Sequence, residues 1–159
     1  MAKILRELGF DVDFAPVVDL GPTENGTGLE GRVYSSNEIS VTGCARAFLD
    51  GLKSFGIKGC LKHFPGLGGS FVDSHKSLPL IKGGGDSREA HLYPYRNLHA
   101  DFVMVAHASY EFLKDPAPST MNAEVYDLLK GINCCDKIVT DDLKMGALSG
   151  FGEGRLSQP

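Results

Sequence analysis

The sequence lacks the features that mark nucleic-acid-binding, membrane or exported proteins. It has 16 lysines and arginines against 20 aspartates and glutamates and no basic run, so it offers no positive field to a phosphate backbone. No apolar stretch approaches the roughly 20 residues that span a bilayer, and the first segment contains no signal-peptide core. We therefore expect a soluble, cytoplasmic protein that binds neither nucleic acid nor membranes.

Cysteine motifs for zinc or redox chemistry are also missing. Cys44, Cys60, Cys134 and Cys135 have no Cys-x-x-Cys spacing, and adjacent cysteines can hardly bridge to each other. We interpret all four as buried thiols in a reducing compartment. The histidines match no His-Glu-x-x-His or other ligand motif, so we expect no metal and no cofactor.

What the sequence does contain is a regular alternation of strand-like and helix-like segments. Short apolar runs at residues 12–18, 58–61, 102–106 and 137–140 predict four buried parallel strands. Helical spacing predicts helices over 2–8, 41–55, 87–98 and 122–131, with Ser87 and Asn122 as N-caps and Gly131 as the last helix's end. This order is typical of an α/β fold with a parallel sheet.

Polar residues follow each of the four predicted strands. They are Asp19, the pair Lys62 and His63, His107, and Asp141. In (β/α)-barrels and open α/β sheets, catalytic groups gather at the carboxyl ends of parallel strands. The sequence therefore predicts one site shared by these strand ends.

The stretch from Lys62 to His75 is the strongest candidate for an active-site loop. We expect the strand to end at Leu61, because Pro65 and several glycines follow at once and leave Lys62 and His63 at its exit. Further on, Asp73-Ser74-His75 places a carboxylate two residues from an imidazole. Such an aspartate can bond one ring nitrogen, which fits His75 for general acid/base chemistry, although this triplet alone is common in surface loops.

Two further positions have both a chemical and a structural interpretation. Asp141 would be held rigidly at the mouth of the sheet and is a candidate nucleophile, whereas Asp142 would cap the helix that follows. Arg32 lies in the polar loop after the first strand and could bind hydroxyls or a carboxylate, but from its local sequence alone a solvated loop arginine is the better explanation.

Taken together, these segments resemble the N-terminal barrel domain of glycoside hydrolase family 3, in its bacterial β-N-acetylglucosaminidase branch. The similar segments are residues 14–20 (FAPVVDL), 31–34 (GRVY), 62–66 (KHFPG), 73–75 (DSH), 101–107 (DFVMVAH) and 140–145 (TDDLKM). The resemblance implies a partial TIM-type (β/α)8 barrel with about four βα units, and it implies that residues 1–159 form a single, incomplete barrel domain. A closed barrel needs about 250 residues.

The resemblance also implies a reaction. Asp141 would attack the anomeric carbon of terminal β-linked N-acetylglucosamine, and His75, oriented by Asp73, would act as acid and then base in a retaining hydrolysis. Lys62, His63 and Arg32 would bind the sugar hydroxyls. The substrates implied are muropeptide or chitin-derived fragments of cell-wall recycling.

The sequence departs from the family pattern in three places. Leu67 replaces a second histidine of the KHFPGHG run, and Asn37 stands where an acidic residue is common. The family's first two strands, with a sugar-binding aspartate, would precede Met1.

Three alternatives to the hydrolase stay open at this point. A phosphorylase is the nearest, because a histidine tolerates an incoming phosphate better than a carboxylate does. The other two are a degenerate carbohydrate-binding protein without turnover and a metal-dependent barrel hydrolase that uses the histidines. The oligomeric state is not predicted.

Overall fold

Helices and strands alternate along the chain. A computed structural model describes residues 1–21, 27–83 and 85–151. The helices are α1 (Ala2–Glu7), α2 (Glu38–Lys53), α3 (Asp86–Asn97) and α4 (Ala123–Ile132). The strands are β1 (Cys60–Phe64), β2 (Leu80–Ile81), β3 (Ala100–Val105), β4 (Ser109–Tyr110) and β5 (Cys135–Thr140), and 3-10 helices occupy Ser119–Met121 and Gly146–Leu148.

Three parallel strands in the order β1-β3-β5 form the main sheet. Leu61 lies opposite Val103, and Val103 lies opposite Ile138, so the carboxyl ends of all three strands meet at one edge. Helices α3 and α4 make the crossovers between successive strands. This confirms the predicted α/β class with a parallel sheet.

The first predicted strand, over residues 12–18, is wrong as a continuous element. The segment runs parallel to β1 and the residues just before it, but it forms only two isolated bridges, Val12 with Lys58 and Val17 with Lys62, and one further backbone bond from the N–H of Cys60 to the carbonyl of Ala15. Pro16 lies between these bridges and has no backbone N–H to donate, so it cannot continue the ladder. The segment nevertheless carries Asp19 to the same edge as the other strand ends.

The predicted bounds of the second strand are also wrong, since β1 begins at Cys60 and continues through Lys62 and His63 to Phe64. Both polar side chains therefore project from a paired strand and not from a loop. Phe64 still bonds its neighbour, because its carbonyl accepts the N–H of Ala106. The strand stops only at Pro65.

Of the three helix ends predicted at named residues, one is confirmed. Asn122 caps α4, where its side chain accepts the backbone N–H of Glu124. Ser87 is not a cap, because α3 starts one residue earlier with Gly85 at its N-cap position and no side-chain cap bond. Helix α4 passes through Gly131 and ends at Ile132, where Asn133 is the C-cap residue in the left-handed conformation that closes helices.

The core lies between the sheet and the helices on its outer face. Phe64 of β1 meets Tyr95 of α3 edge-to-face with ring centroids 4.9 Å apart, and both side chains are fully buried. Val41 and Ala45 of α2 join the same cluster. Among the described residues, no helix has the length and apolar character to cross a membrane.

A second, smaller cluster lies beneath the edge where the strands end. It contains Leu29, Leu67, Ile81, Ala106, Ala108 and Tyr110. Tyr110 comes from the short parallel pair β2-β4, which the sequence did not predict, and its hydroxyl donates to the carbonyl of Gly66. This cluster supports the turn that follows β1.

Two cysteines fit the interpretation as buried thiols better than the others. Burial raises the pKa of Cys60 and Cys134 to about 12, so both are inert thiols. Cys135 is half-buried, and Cys44 is exposed on α2, so the interpretation is wrong for Cys44.

Candidate functional site

The carboxyl edge of the sheet contains a cavity of about 170 Å³. Five of the predicted site residues line it: Arg32, Lys62, His63, His75 and Asp141. The remaining walls come from Phe14, Thr27, Gly28, Leu29, Leu67, Ser74 and Met104. The structure thus brings the candidate nucleophile, the candidate acid/base and the candidate sugar-binding cations to one place, while Asp73 lies directly behind His75.

Asp19 and His63 form a buried pair at the base of this cavity. Oδ2 of Asp19 lies 2.7 Å from Nδ1 of His63, and the other oxygen accepts the backbone N–H of Leu67 at 2.6 Å. Burial would raise the pKa of Asp19, but the charge and hydrogen bond of His63, with the backbone N–H groups, hold it below its usual range. Asp19 is therefore an ionised carboxylate inside the protein.

Asp141 follows β5 and faces His63. Its backbone N–H donates to the carbonyl of Val105, which ties the residue to the end of β3. Oδ1 accepts the N–H of Asp142 at 2.9 Å, and Oδ2 lies 3.8 Å from Nε2 of His63. One carboxylate oxygen is thus held by the backbone while the other is directed toward the cavity.

Asp73 and His75 form the local pair that the sequence predicts. Oδ1 of Asp73 lies 2.7 Å from Nδ1 of His75 and also accepts the backbone N–H of His75. That backbone bond is the largest cause of a lowered pKa of Asp73, while burial acts in the opposite direction. Because Nδ1 bonds the carboxylate, Nε2 of His75 is left to exchange protons at the cavity.

Two turns hold the Asp73–His75 loop from opposite sides. On one side is Gly28, at a φ of +81°, where an added Cβ would lie 2.9 Å from Oδ1 of Asp73. On the other side, Gly146 and Ala147 donate backbone N–H groups to the carbonyls of His75 and Ser74. The second turn follows Asp141 along the chain, so the loop of the candidate nucleophile and the loop of the candidate acid/base are joined by two hydrogen bonds.

Lys62 and Arg32 supply positive charge to the cavity. Burial, followed by the charge of Arg32, lowers the pKa of Lys62. Arg32 donates from Nη1 to the carbonyl of Gly28 at 2.8 Å, so the arginine is fixed against the turn behind His75. This contact argues against a freely solvated loop arginine.

The two substituted positions have structural roles. Leu67 is buried in the cluster beneath the cavity, and its backbone N–H binds Asp19. Asn37 caps α2, since its side chain accepts the backbone N–H of Ser40. Neither replacement places a new polar side chain in the cavity.

His107 and Asp142 behave differently from the other residues at this edge. His107 does not line the cavity; its Nδ1 lies 2.6 Å from the hydroxyl of Thr120, and its Nε2 lies 3.1 Å from the carbonyl of Asp142. The predicted role of Asp142 as a helix cap is wrong. Its side chain closes a turn by accepting the N–H of Lys144, and no α-helix follows in the part of the chain that the structure describes.

Three site features escaped the sequence reasoning. Asp19 was singled out by position, but not its bond to His63, which lies 44 residues away. The contacts of Gly28 and Gly146 with the 73–76 loop depend on tertiary packing and have no local signal.

Within the described ranges, no group of three or more His, Cys, Asp or Glu side chains is arranged to hold a metal ion.

Comparison with known proteins places this geometry in a family. The family model for the "Glycosyl hydrolase family 3 N terminal domain" matches residues 1–157. The chain is 35% identical over 133 residues to the beta-hexosaminidase LpqI of Mycobacterium tuberculosis, a match that covers 79% of this chain and 33% of LpqI. It is 34% identical over 158 residues to a beta-hexosaminidase of Alkalilimnicola ehrlichii, covering 96% of this chain and 45% of that protein.

Solved structures agree with the sequence relatives. A family 3 beta-N-acetylglucosaminidase from Paenibacillus superposes with a TM-score of 0.87 at 30% identity, over 92% of this chain and 29% of that one. The chain therefore spans less than half the length of these relatives. The expected partial (β/α)-barrel fold is confirmed, and the chain belongs to glycosyl hydrolase family 3, whose N-terminal domain it matches over nearly its whole length.

Proposed function

We propose that the protein is a retaining β-N-acetylhexosaminidase that releases terminal β-linked N-acetylglucosamine. The observation that carries the proposal is the single cavity lined by Asp141, His75, Lys62, His63 and Arg32. The names of the relatives support the substrate class, since those proteins are described as beta-hexosaminidases. Muropeptide and chitin-derived fragments are the natural substrates to test first.

The chemistry follows from the arrangement of the two carboxylates and the loop histidine. Asp141 attacks the anomeric carbon with its cavity-facing oxygen while His75 gives its Nε2 proton to the departing glycosidic oxygen, which forms a glycosyl ester. Water then attacks the same carbon as His75 takes back a proton, and Asp141 leaves. Two displacements at one carbon retain the β configuration.

Asp73 acts on this reaction only through His75. Its bond to Nδ1 fixes the ring orientation, so the other nitrogen delivers the proton. Lys62, His63 and Arg32 donate to the sugar hydroxyls. Fixed donors suit this task, because a sugar presents many hydroxyls whose hydrogen bonds to water must be replaced.

Hydrolysis of an aryl β-N-acetylglucosaminide by the full-length protein tests the proposal. Asp141→Asn removes the nucleophile while keeping its shape, and kcat/KM should fall by about 10⁴-fold or more. Asp115→Asn is a matched control, since the Asp115 side chain accepts the backbone N–H of Ala117 and does not line the cavity. Full activity of Asp141→Asn would remove the nucleophile assignment.

Phosphorolysis is a second candidate, favoured by one observation. The acid/base is a largely exposed imidazole, with 59% of its side chain accessible, so an incoming phosphate would meet no second carboxylate at that position. Product analysis in phosphate buffer separates the two candidates. Free N-acetylglucosamine supports the hydrolase, and the sugar 1-phosphate supports the phosphorylase.

A further inference from the structure

His107 is a buried histidine at the carboxyl edge of the sheet that the proposed reaction does not use. It lies two residues after β3, only 1% of it is exposed, and its side chain does not line the cavity. A buried imidazole needs hydrogen-bond partners for its ring nitrogens. Nδ1 lies 2.6 Å from the hydroxyl oxygen of Thr120, and Nε2 lies 3.1 Å from the carbonyl oxygen of Asp142. The second contact ties His107 to the residue that follows the candidate nucleophile.

The contact with Asp142 has only one possible direction. A carbonyl oxygen can accept a hydrogen bond but cannot donate one, so Nε2 of His107 is the donor. The hydroxyl of Thr120 can do either, and it also lies 3.1 Å from the carbonyl of Ala106. Thr120 therefore holds the ring in the orientation that directs Nε2 at Asp142.

The backbone of Asp142 links His107 to the side chain of Asp141. Its N–H donates to Oδ1 of Asp141 at 2.9 Å. Its carbonyl accepts from Nε2 of His107 and from the backbone N–H of Met145 at 3.0 Å. The N–H of Asp141 donates to the carbonyl of Val105 at 3.2 Å. Two bonds to the end of β3 and the residues after it, one to Val105 and one to His107, thus hold the backbone that carries the carboxylate.

From this geometry we propose that His107 is a positioning residue, which fixes the backbone after β5 so that the Asp142 N–H holds one oxygen of Asp141 and the other faces the anomeric carbon. Its effect on turnover rests on the proposed function, whereas the contact does not. Misplacing a reacting atom by about 1 Å can lower a rate by about 100-fold. Since Met145 also holds the carbonyl of Asp142, loss of His107 alone should lower kcat by less, about 10- to 30-fold.

Two replacements at residue 107 separate the hydrogen-bond donor from the bulk of the side chain. His107→Leu is of similar size but cannot donate, whereas the side-chain amide in His107→Gln can donate from near the position of Nε2. The full-length protein is assayed on aryl β-N-acetylglucosaminides with good and poor leaving groups. In His107→Leu, kcat should fall by about 10- to 30-fold on both kinds of substrate with little change in KM, because the nucleophile and not the acid is displaced.

His107→Gln should lose less than about 3-fold in kcat, because a donor to Asp142 remains. Leu129→Ala is the control for lost stability, since Leu129 is buried in the main core and does not line the cavity; its kcat should not change. Equal losses in His107→Gln and His107→Leu, or a loss confined to poor leaving groups, would overturn the proposal. Should His107→Leu fail to fold, Thr120→Val keeps the shape of residue 120, removes the hydroxyl that orients the ring, and should give the same pattern with a smaller loss.

Hydrogen exchange supplies a readout that does not depend on turnover. The protection of the Asp142 amide, which donates to Oδ1 of Asp141, should fall in His107→Leu and persist in His107→Gln. Unchanged protection in His107→Leu would overturn the proposal. If the wild type hydrolyses no β-N-acetylglucosaminide but the amide loses protection in His107→Leu, the proposed function fails and the positioning of Asp141 by His107 stands.

Discussion

Two carboxylate–histidine pairs flank the cavity with the same contact distance and opposite surroundings. In Asp19–His63 and in Asp73–His75, the carboxylate oxygen and Nδ1 are 2.7 Å apart. The first pair is almost wholly buried, whereas His75 is largely exposed. The buried pair is suited to fixing charge and orientation, and the exposed pair to exchanging protons. Distance alone does not decide what such a pair does; solvent access does.

The largest effect that separates the pairs should come from His75→Ala. Loss of the general acid should lower kcat/KM by about 10²- to 10⁴-fold on substrates with poor leaving groups and much less on good ones, measured across a series of aryl β-N-acetylglucosaminides. His99→Ala is the matched control, since His99 is also exposed and lies 3.7 Å from Asp136. Equal losses on good and poor leaving groups would argue against an acid role.

The buried pair should contribute more to the free energy of unfolding than the exposed pair does. Asp19→Ala leaves His63 buried without its partner and should lower the free energy of unfolding by about 3–5 kcal/mol. Asp73→Ala removes a solvent-screened contact and should cost less than about 1 kcal/mol. Urea denaturation of the full-length variants measures both values. Similar losses in the two variants would mean that burial does not distinguish the pairs.

The turn that carries Gly146 should matter to the exposed pair but not to the buried one. A Cβ at this position would lie 2.5 Å from the carbonyl oxygen of Lys76, so Gly146→Ala should displace the loop that bears His75 and cost about 1–3 kcal/mol. Gly150→Ala is the control, because no atom lies within 4 Å of its added Cβ. Hydrogen exchange of residues 73–77 reports the displacement, and unchanged protection would contradict the contact.

The smallest expected effect is a change at low pH in the stability that Asp19 contributes. Because the pKa of Asp19 is lowered in the folded protein, its contribution is complete above the unfolded value of about 4 and is lost as the pH falls through the folded value. The stability gap between wild type and Asp19→Asn should therefore be constant from pH 7 to 5 and shrink below about pH 4. A gap that widens on acidification would show that Asp19 is protonated when folded.

The two pairs also show which contacts could be predicted from the sequence. Asp73 and His75 are two residues apart, so a turn alone brings them into contact and the motif reveals the bond. Asp19 and His63 meet only because the segment before residue 19 lies parallel to β1, and this register is set by the packed sheet. The local bond was predictable, and so was the gathering of the strand ends at one edge, but the specific bond between Asp19 and His63 was not.

The dependence of strand pairing on distant segments also explains the errors in the predicted fold. The alternation of apolar runs and helical spacing predicted the α/β class, because that signal repeats along the whole chain. Pro16 interrupted a strand that hydrophobicity alone favoured. Lys62 and His63 looked like loop residues, yet β1 includes them, since a barrel strand can direct polar side chains toward a site.

Trapping of the covalent intermediate tests the central claim most directly. A 5-fluoro glycosyl fluoride of N-acetylglucosamine should form a slowly hydrolysed ester with the full-length protein, which is then digested and sequenced by mass spectrometry. The account predicts one added sugar, located on Asp141. A sugar attached to any other residue, or steady turnover of the substrate with no adduct at all, would contradict it.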